Sequence, residues 1–222
     1  MGIKSEITTD RLYWLGRYTE RTYSTIKYYA RNFDKLIERD AVDYAYICEA
    51  LDIPNIYSDK DDFIGRYAFS TEDPNSIISN LTRAYDNAIE LREEIGSETL
   101  SFIQLAMYSV QKAGLTQSPL MELRKAEDDI LAFWGIVDDQ IDDEETRNII
   151  KLGKRIERLD LYARMKQSRE MLQREIDRLS SRISHCHIEY DAERIEQVRA
   201  LIGADVIDHR AIVDAVESIT EV

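Results

Sequence analysis

Two stretches of the sequence carry the same pattern of glycine, glutamate and arginine. One copy spans Leu15–Arg21 and the other spans Leu152–Arg158. In each copy the glycine and the glutamate are four residues apart, so a helix would place both on one face. A buried glutamate needs a cation, and arginine can bind a carboxylate through two parallel hydrogen bonds. The candidate residues are Gly16, Arg17, Glu20, Arg21, Gly153, Glu157 and Arg158.

This repeat has a structural interpretation and a functional one. Glycine inside a helix costs about 1 kcal/mol relative to alanine, and the close approach of another backbone is the usual reason for it. Two helices would then cross at Gly16 and Gly153. Glu20 would pair with Arg158, and Glu157 would pair with Arg21. Alternatively, each glutamate would pair more weakly within its own helix, Glu20 with Arg17 and Glu157 with Lys154. The alternatives are a polar pocket for an anionic or peptide-like ligand, and a chance match.

A group of acidic residues, Asp138, Asp139 and Asp142, reads D-D-x-x-D. Carboxylates in this pattern can share Mg²⁺ ions that hold a pyrophosphate, as in the all-helical isoprenoid synthases. The acidic run continues to Glu145, however, and negative charge also favours the first turn of a helix. We expect helix capping here and no metal site.

The segment His185-Cys186-His187 offers ligands that zinc accepts. Cys48 and His209 are the only other cysteine or histidine in the chain, and alternate residues do not share a helical face. A loop between two helices is the expected structure. A di-iron bundle needs Glu-x-x-His pairs, which the sequence lacks, so we expect no cofactor.

The first helix is rich in tyrosine. Tyrosine suits protein contacts because it combines a large apolar area with a polar tip. Not all of these rings can face one core, so the sequence predicts a surface for a partner or a second copy. The five tyrosines are Tyr13, Tyr18, Tyr23, Tyr28 and Tyr29.

Apolar residues recur at alternating spacings of three and four along most of the chain, which indicates helices. Only eight glycines and three prolines occur in 222 residues, too few to separate many short strands. The predicted fold is therefore all-α, a bundle of about seven to nine helices in one domain, 1–222, with repeat halves of about 8–115 and 118–222. A row of apolar residues at helical spacing begins at Ile149. The sequence leaves open whether one helix forms this row or whether a second helix starts after Gln167-Ser168.

The charge balance limits the partners. Lys and Arg number 29 and Asp and Glu 43, giving a net charge of −14. Such a chain is repelled by phosphate backbones, so nucleic-acid binding is not expected. No apolar run reaches about 18 residues, and the N-terminus lacks the apolar segment of a secretion signal. The expected location is the cytoplasm, away from a membrane.

The paired G-x-x-x-E-R helices resemble the alpha-E domain, a bacterial domain predicted to be all-helical. A third stretch strengthens the resemblance, because residues 75–98 are similar to the central helix of that family. Tyr85 and Ile89 stand here where the family has arginines. The positions that the resemblance adds to the candidate pocket are Arg83, Asp86 and Asn87.

The resemblance implies an association with genes for ATP-grasp peptide ligases and transglutaminase-like peptidases. It favours a non-catalytic accessory or scaffold protein in peptide synthesis or modification, with one of those proteins as partner. The second hypothesis is an enzyme or ligand-binding protein that uses the Glu/Arg pocket. The third is a Mg²⁺-dependent pyrophosphate enzyme. Catalytic activity is left open.

Overall fold

The computed structural model describes residues 4–38 and 43–220. It is 77% helical, and the described residues form ten helices and no strands, which confirms the all-α prediction. The helices are α1 (Glu6–Glu38), α2 (Tyr44–Leu51), α3 (Lys60–Tyr67), α4 (Ile77–Glu90), α5 (Arg92–Ala113), α6 (Pro119–Gln140), α7 (Glu144–Arg164), α8 (Arg169–Ile183), α9 (Ala192–Gly203) and α10 (His209–Glu217).

The ten helices exceed the predicted seven to nine. Part of the difference arises because the long apolar pattern that begins at Ile149 is divided between two helices. Lys166 adopts a left-handed conformation, with φ of 50°, so α7 and α8 are separate helices. Gly96 interrupts α5, because its φ of 79° and ψ of 155° are not helical and the helix kinks there. Few L residues tolerate that backbone conformation, which explains the glycine.

Acidic and hydroxyl side chains start most of the helices. Each of these residues precedes a helix and accepts a hydrogen bond from a backbone N–H of the first turn, which would otherwise have no partner in the helix. They are Asp43, Asp59, Ser76, Asp143, Asp191 and Asp208. Part of the acidic excess of the chain is thus used for capping.

The chain forms two compact units. The first combines the residues up to Arg17 with those from Asp143 onward, and the second is Tyr18–Asp142. The first part of α1 therefore belongs to one unit and the rest to the other. These boundaries differ from the predicted repeat halves, and the single-domain organisation stays a prediction.

In the first unit, α7 packs against α8 and α10, and α9 packs against α8 and α10. The buried side chains are mainly Ile, Leu and Val, as the seam from Ile149 predicts. An isolated antiparallel bridge joins Tyr190 to Thr220 next to α10. This unit contains both glycines of the repeat.

In the second unit, α5 and α6 form an antiparallel hairpin, and α4 packs against α5. Aromatic rings fill the space between α1 and α3: Phe63 stacks on Tyr67 at 5.1 Å between ring centroids, and Tyr29 lies 6.1 Å from Tyr67. The Tyr29 hydroxyl donates to the backbone carbonyl of Ile64 at 3.0 Å. These contacts fix the part of α1 that carries Glu20.

Candidate functional site

The two glycines of the repeat mark a close crossing of α1 and α7 in the first unit. A Cβ atom on Gly16 would lie 2.0 Å from the carbonyl oxygen of Ile150, and one on Gly153 would lie 2.1 Å from that of Tyr13. Gly16 thus faces Ile150, three residues before Gly153. In the same way Gly153 faces Tyr13, three residues before Gly16. Only a residue without a side chain fits at either position, so the predicted close approach is confirmed.

Beside this crossing, Arg17 and Glu157 form a buried ion pair. The Nε atom of Arg17 lies 2.8 Å from Oε2 of Glu157, whose side chain is 1% exposed. Burial alone would lower the pKa of Arg17, but the Glu157 carboxylate outweighs it and raises that pKa above its usual range. Arg17 therefore stays charged. Its guanidinium also lies 4.9 Å from the centre of the Trp14 ring, a cation–π contact.

Further polar side chains surround this pair and form what we call the polar cluster: Tyr13, Arg17, Glu157, Asp160 and Arg164. The Nε atom of Arg164 lies 2.8 Å from Oδ2 of Asp160, which is fully buried. Burial raises the pKa of Tyr13, so its hydroxyl stays protonated. Within the cluster, two arginines thus balance two carboxylates.

Two side chains near the C-terminal end of the chain extend the polar cluster. The Tyr13 hydroxyl lies 2.9 Å from the hydroxyl of Thr220. Arg164 also contacts Glu217 at 2.6 Å. The cluster therefore ties α1 and α7 to the segment that ends α10.

The first copy of the motif lies on α1 within the second unit. Glu20 is fully buried and accepts a hydrogen bond from the Ser24 hydroxyl at 2.8 Å. Burial raises the pKa of Tyr67, and the positive charge of Arg21 opposes that shift. The cross-pairs predicted from the sequence, such as Glu20 with Arg158, join residues of different units and stay predictions. Arg158 itself is half-buried on α7.

The candidates on α4 are spaced three and four residues apart, so they lie on one face of that helix. Arg83 donates to the carbonyl of Pro74 at 2.8 Å, and its guanidinium lies 5.7 Å from the centre of the Tyr18 ring. Asp86 is exposed. Asn87 accepts the backbone hydrogen bond that ends α4, from the N–H of Leu91. Arg83 therefore contacts the segment that leads into α4, and the pocket role of the three residues stays a prediction.

The D-D-x-x-D aspartates do not come together as metal ligands. Within residues 4–38 and 43–220, no three His, Cys, Asp or Glu side chains are grouped as a metal site requires. Asp138 and Asp139 lie exposed in the last turn of α6, and Asp142 is exposed in the connection that follows. Asp143, the next residue of the same acidic run, caps α7, as the predicted start of a helix there requires.

Asp143 makes a pH-dependent contribution to stability that can be tested. Hydrogen bonds from the Thr146 side chain and from Lys4 lower its pKa to about 2. An aspartate in an unfolded chain has a pKa of about 3.9, so this contribution is present above pH ~4 and lost as the pH falls toward 2. Asn keeps the cap but not the charge. We expect Asp143→Asn to be less stable than the parent protein at pH 7.

Urea unfolding at several pH values measures this effect. The difference in midpoint between the two proteins should be constant above about pH 5 and shrink between about pH 4 and pH 2.5. A difference that stays constant over this range would show that the charge of Asp143 contributes nothing.

The His185–His187 segment forms the predicted loop after α8. Burial raises the pKa of Cys186 to about 12 even though Arg182 is nearby, so the thiol is a poor metal ligand at neutral pH. His187 is exposed and contacts Glu145 at 2.9 Å. The Asn148 side chain donates to the carbonyl of His185 at 3.3 Å. These contacts hold the loop against the start of α7.

The five tyrosines of α1 differ in burial. Tyr13 and Tyr29 are buried, and Tyr18, Tyr23 and Tyr28 are half-buried. The three half-buried rings leave part of their area accessible, so the surface for a partner or a second copy on α1 stays a prediction.

A cleft of about 440 Å³ lies between the start of α8 and the end of α9. Arg169 lines it but donates to the carbonyls of Ile202 and Ala204, both at 2.6 Å. This arginine thus caps the carboxyl end of α9. Its charge is used within the fold, and nothing in the sequence marked this cleft in advance.

The match to known families agrees with this geometry. The profile of Alpha-E, described as a predicted alpha-helical domain with a conserved ER motif, matches residues 8–202. The chain belongs to the Alpha-E family. Neither a curated protein nor a solved structure matches it. No helix in the described part of this Alpha-E protein is both long and apolar enough to cross a membrane.

Proposed function

We propose that this Alpha-E protein is a non-catalytic accessory or scaffold of a bacterial peptide synthesis or modification system, in which an ATP-grasp ligase forms the bond. The observation that carries the proposal is the ion pair of Arg17 with Glu157. Both side chains of the pair are engaged with each other inside the first unit. A residue in this position holds helices together and is not presented to a substrate.

The glycine crossing supports the same proposal over the pocket hypothesis. At both glycines the backbones of α1 and α7 are too close to admit even a methyl group. A ligand therefore has no room between the two helices at this point. In the polar cluster, two arginines balance two carboxylates. A catalytic carboxylate instead usually has a perturbed pKa and lies in an open cleft.

The identity of the partner rests on the resemblance to the family. An ATP-grasp ligase or a transglutaminase-like protein encoded beside the gene is the expected partner. The cytoplasm is the corresponding location, because ATP-dependent ligation needs the ATP pool. An acidic accessory protein would suit a partner with a basic surface, since complementary charge speeds and orients association.

Co-expression with the neighbouring ligase tests the proposal. We expect the two proteins to purify as a complex, and ATP-dependent peptide ligation to require both. The chain alone should neither hydrolyse ATP nor change a peptide substrate. Turnover by the chain alone, or a ligase that is fully active and separate without it, would overturn the proposal.

A variant of the ion pair separates the proposal from the pocket hypothesis. Glu157→Gln should lower stability, and partner binding should be lost only to the extent that folding is lost. If the variant instead folds with parental stability and fails to bind a peptide or its partner, the motif is a binding site.

A further inference from the structure

The cleft of about 440 Å³ between α8 and α9 lies within the first unit. Pockets that hold small ligands usually have volumes of about 300–1,000 Å³, so this cleft has room for one. The residues of α8 that line it are spaced three and four apart and therefore share one face of the helix. They are Glu170, Gln173, Arg174 and Asp177.

Arg174 carries a charge that the fold does not use. Its side chain is exposed, and within residues 4–38 and 43–220 it makes no hydrogen bond or ion pair. The other three arginines of α8 each have a partner. Arg169 binds backbone carbonyls at the end of α9, Arg178 pairs with a glutamate of its own helix, and Arg182 binds an asparagine of α7. The exception among the four is thus the arginine that lines the cleft with its charge still available.

Two carboxylates within helical reach of Arg174 are engaged with other groups. A glutamate four residues before an arginine is the favourable arrangement for an ion pair on a helix, and Glu170 has that position. Hydrogen bonds from its own backbone N–H and from the Ser168 hydroxyl instead lower the pKa of Glu170. Asp177, three residues after Arg174, lies 2.5 Å from the guanidinium of Arg199. Both carboxylates stay charged beside an arginine that neither of them binds.

The charges around the cleft indicate which anionic group fits Arg174. A guanidinium binds either a carboxylate or a phosphate through two parallel hydrogen bonds. A phosphate group carries a charge of about −1.5 to −2 at pH 7. One arginine flanked by Glu170 and Asp177, in a chain of net charge −14, cannot balance that charge. A carboxylate, with a single negative charge, is therefore the group that this site accepts.

The two flanking carboxylates indicate what lies next to the bound group. Ionised carboxylates only accept hydrogen bonds, so Glu170 and Asp177 favour a ligand with N–H groups. Side chains one helical turn apart have Cβ atoms about 5–6 Å from each other, which brings both acceptors close to whatever Arg174 binds. The C-terminal end of a peptide has this combination, because its carboxylate is followed by backbone N–H groups.

We infer that the cleft between α8 and α9 binds the C-terminal end of a peptide, with its carboxylate on the guanidinium of Arg174 and its backbone N–H groups on Glu170 or Asp177. Arg169 stays bound to the carbonyls of α9 and keeps that side of the cleft in place. This inference goes beyond the accessory function and does not depend on it, because the chain binds the peptide without the ligase.

Titration of the full-length chain with N-acetyl-dialanine, followed by NMR of the backbone amides, tests the inference. We expect saturable shifts centred on the start of α8 and on Gly203, with a Kd of roughly 1 mM or below. The C-terminal amide of the same peptide lacks the carboxylate, and propionate lacks the N–H groups. Each should bind at least roughly tenfold more weakly. Equal binding of either compound, shifts centred on the polar cluster, or no saturation up to ~10 mM would overturn the inference.

Variants of the arginine locate the site by an independent route. Arg174→Met should weaken binding of N-acetyl-dialanine at least roughly tenfold and leave Tm unchanged, because no contact of the described fold uses this side chain. Arg174→Lys keeps the charge but not the two parallel hydrogen bonds, so its affinity should lie between the two. Arg194→Met is the matched control, since Arg194 is half-exposed at the opposite end of α9 from the cleft. It should bind as the parent protein does, and parental affinity of Arg174→Met would contradict the inference.

Discussion

Gly16→Ala is expected to destabilise the protein strongly, although alanine is the better helix former. The new methyl group would lie 2.0 Å from the carbonyl oxygen of Ile150 and 2.9 Å from its carbon. These are backbone atoms, which no change of side-chain rotamer can move, so α1 and α7 must separate. Overpacking usually costs about 1–3 kcal/mol, and here we expect a net loss of about 2 kcal/mol or more after the gain in helix propensity.

The loss can be measured by thermal and urea unfolding. For a chain of this size it corresponds to a fall in Tm of roughly 5 °C or more. Gly135→Ala is the matched control, because Gly135 lies within α6 and its Cβ would meet no atom within 4 Å. That substitution should raise stability by about 0.5–1 kcal/mol. If both variants gained stability equally, the crossing would not depend on glycine.

The sequence predicted this crossing because the repeat places a glycine at the same position relative to the apolar residues of two helices. This position is a local property, which the spacing of residues along the chain is enough to give. The same is true of the all-α fold and of the helix start in the acidic run before α7. What spacing does not give is the partner of each charged side chain, because the partner depends on the angle and the depth at which two helices meet.

Arg17 illustrates this limit. The motif marks Arg17 as a candidate, but its spacing favours the arginines one helical turn further on as partners of the glutamates. At the crossing, the backbone nitrogen of Arg17 is 3.2 Å from the Cβ position of Gly153. The residue next to one glycine therefore lies against the opposite helix, where it meets Glu157. Once the crossing is known, this partner follows from geometry.

Burial is the other property that composition left undecided. The tyrosines of α1 and Tyr108 of α5 are the same residue type, and number alone favoured α1 as the docking surface. Tyr13 and Tyr29 are buried, whereas Tyr108 on α5 is 66% exposed. Residue type alone therefore does not decide which tyrosines are accessible.

Arg17→Met is expected to cost about 3–5 kcal/mol, the usual result of removing one partner from a buried ion pair. Glu157 would then keep its charge inside the protein without the guanidinium that lies 2.8 Å from it. Out of a total stability of about 5–15 kcal/mol, this loss would be plain in urea unfolding. Glu157→Gln should also destabilise the fold, because the Arg17 guanidinium then loses its carboxylate.

The double variant decides whether the two effects share one cause. Because Arg17→Met with Glu157→Gln leaves neither charge alone, it should recover part of the sum, with a coupling energy of about 0.5–3 kcal/mol. The exposed pair Arg210–Asp214, with atoms 3.1 Å apart, is the control for a salt bridge in water. Arg210→Met should change stability by no more than about 0.5 kcal/mol. Strict additivity at Arg17 and Glu157 would show that the pair does not hold the crossing, and near-parental stability with lost binding would make it a ligand site.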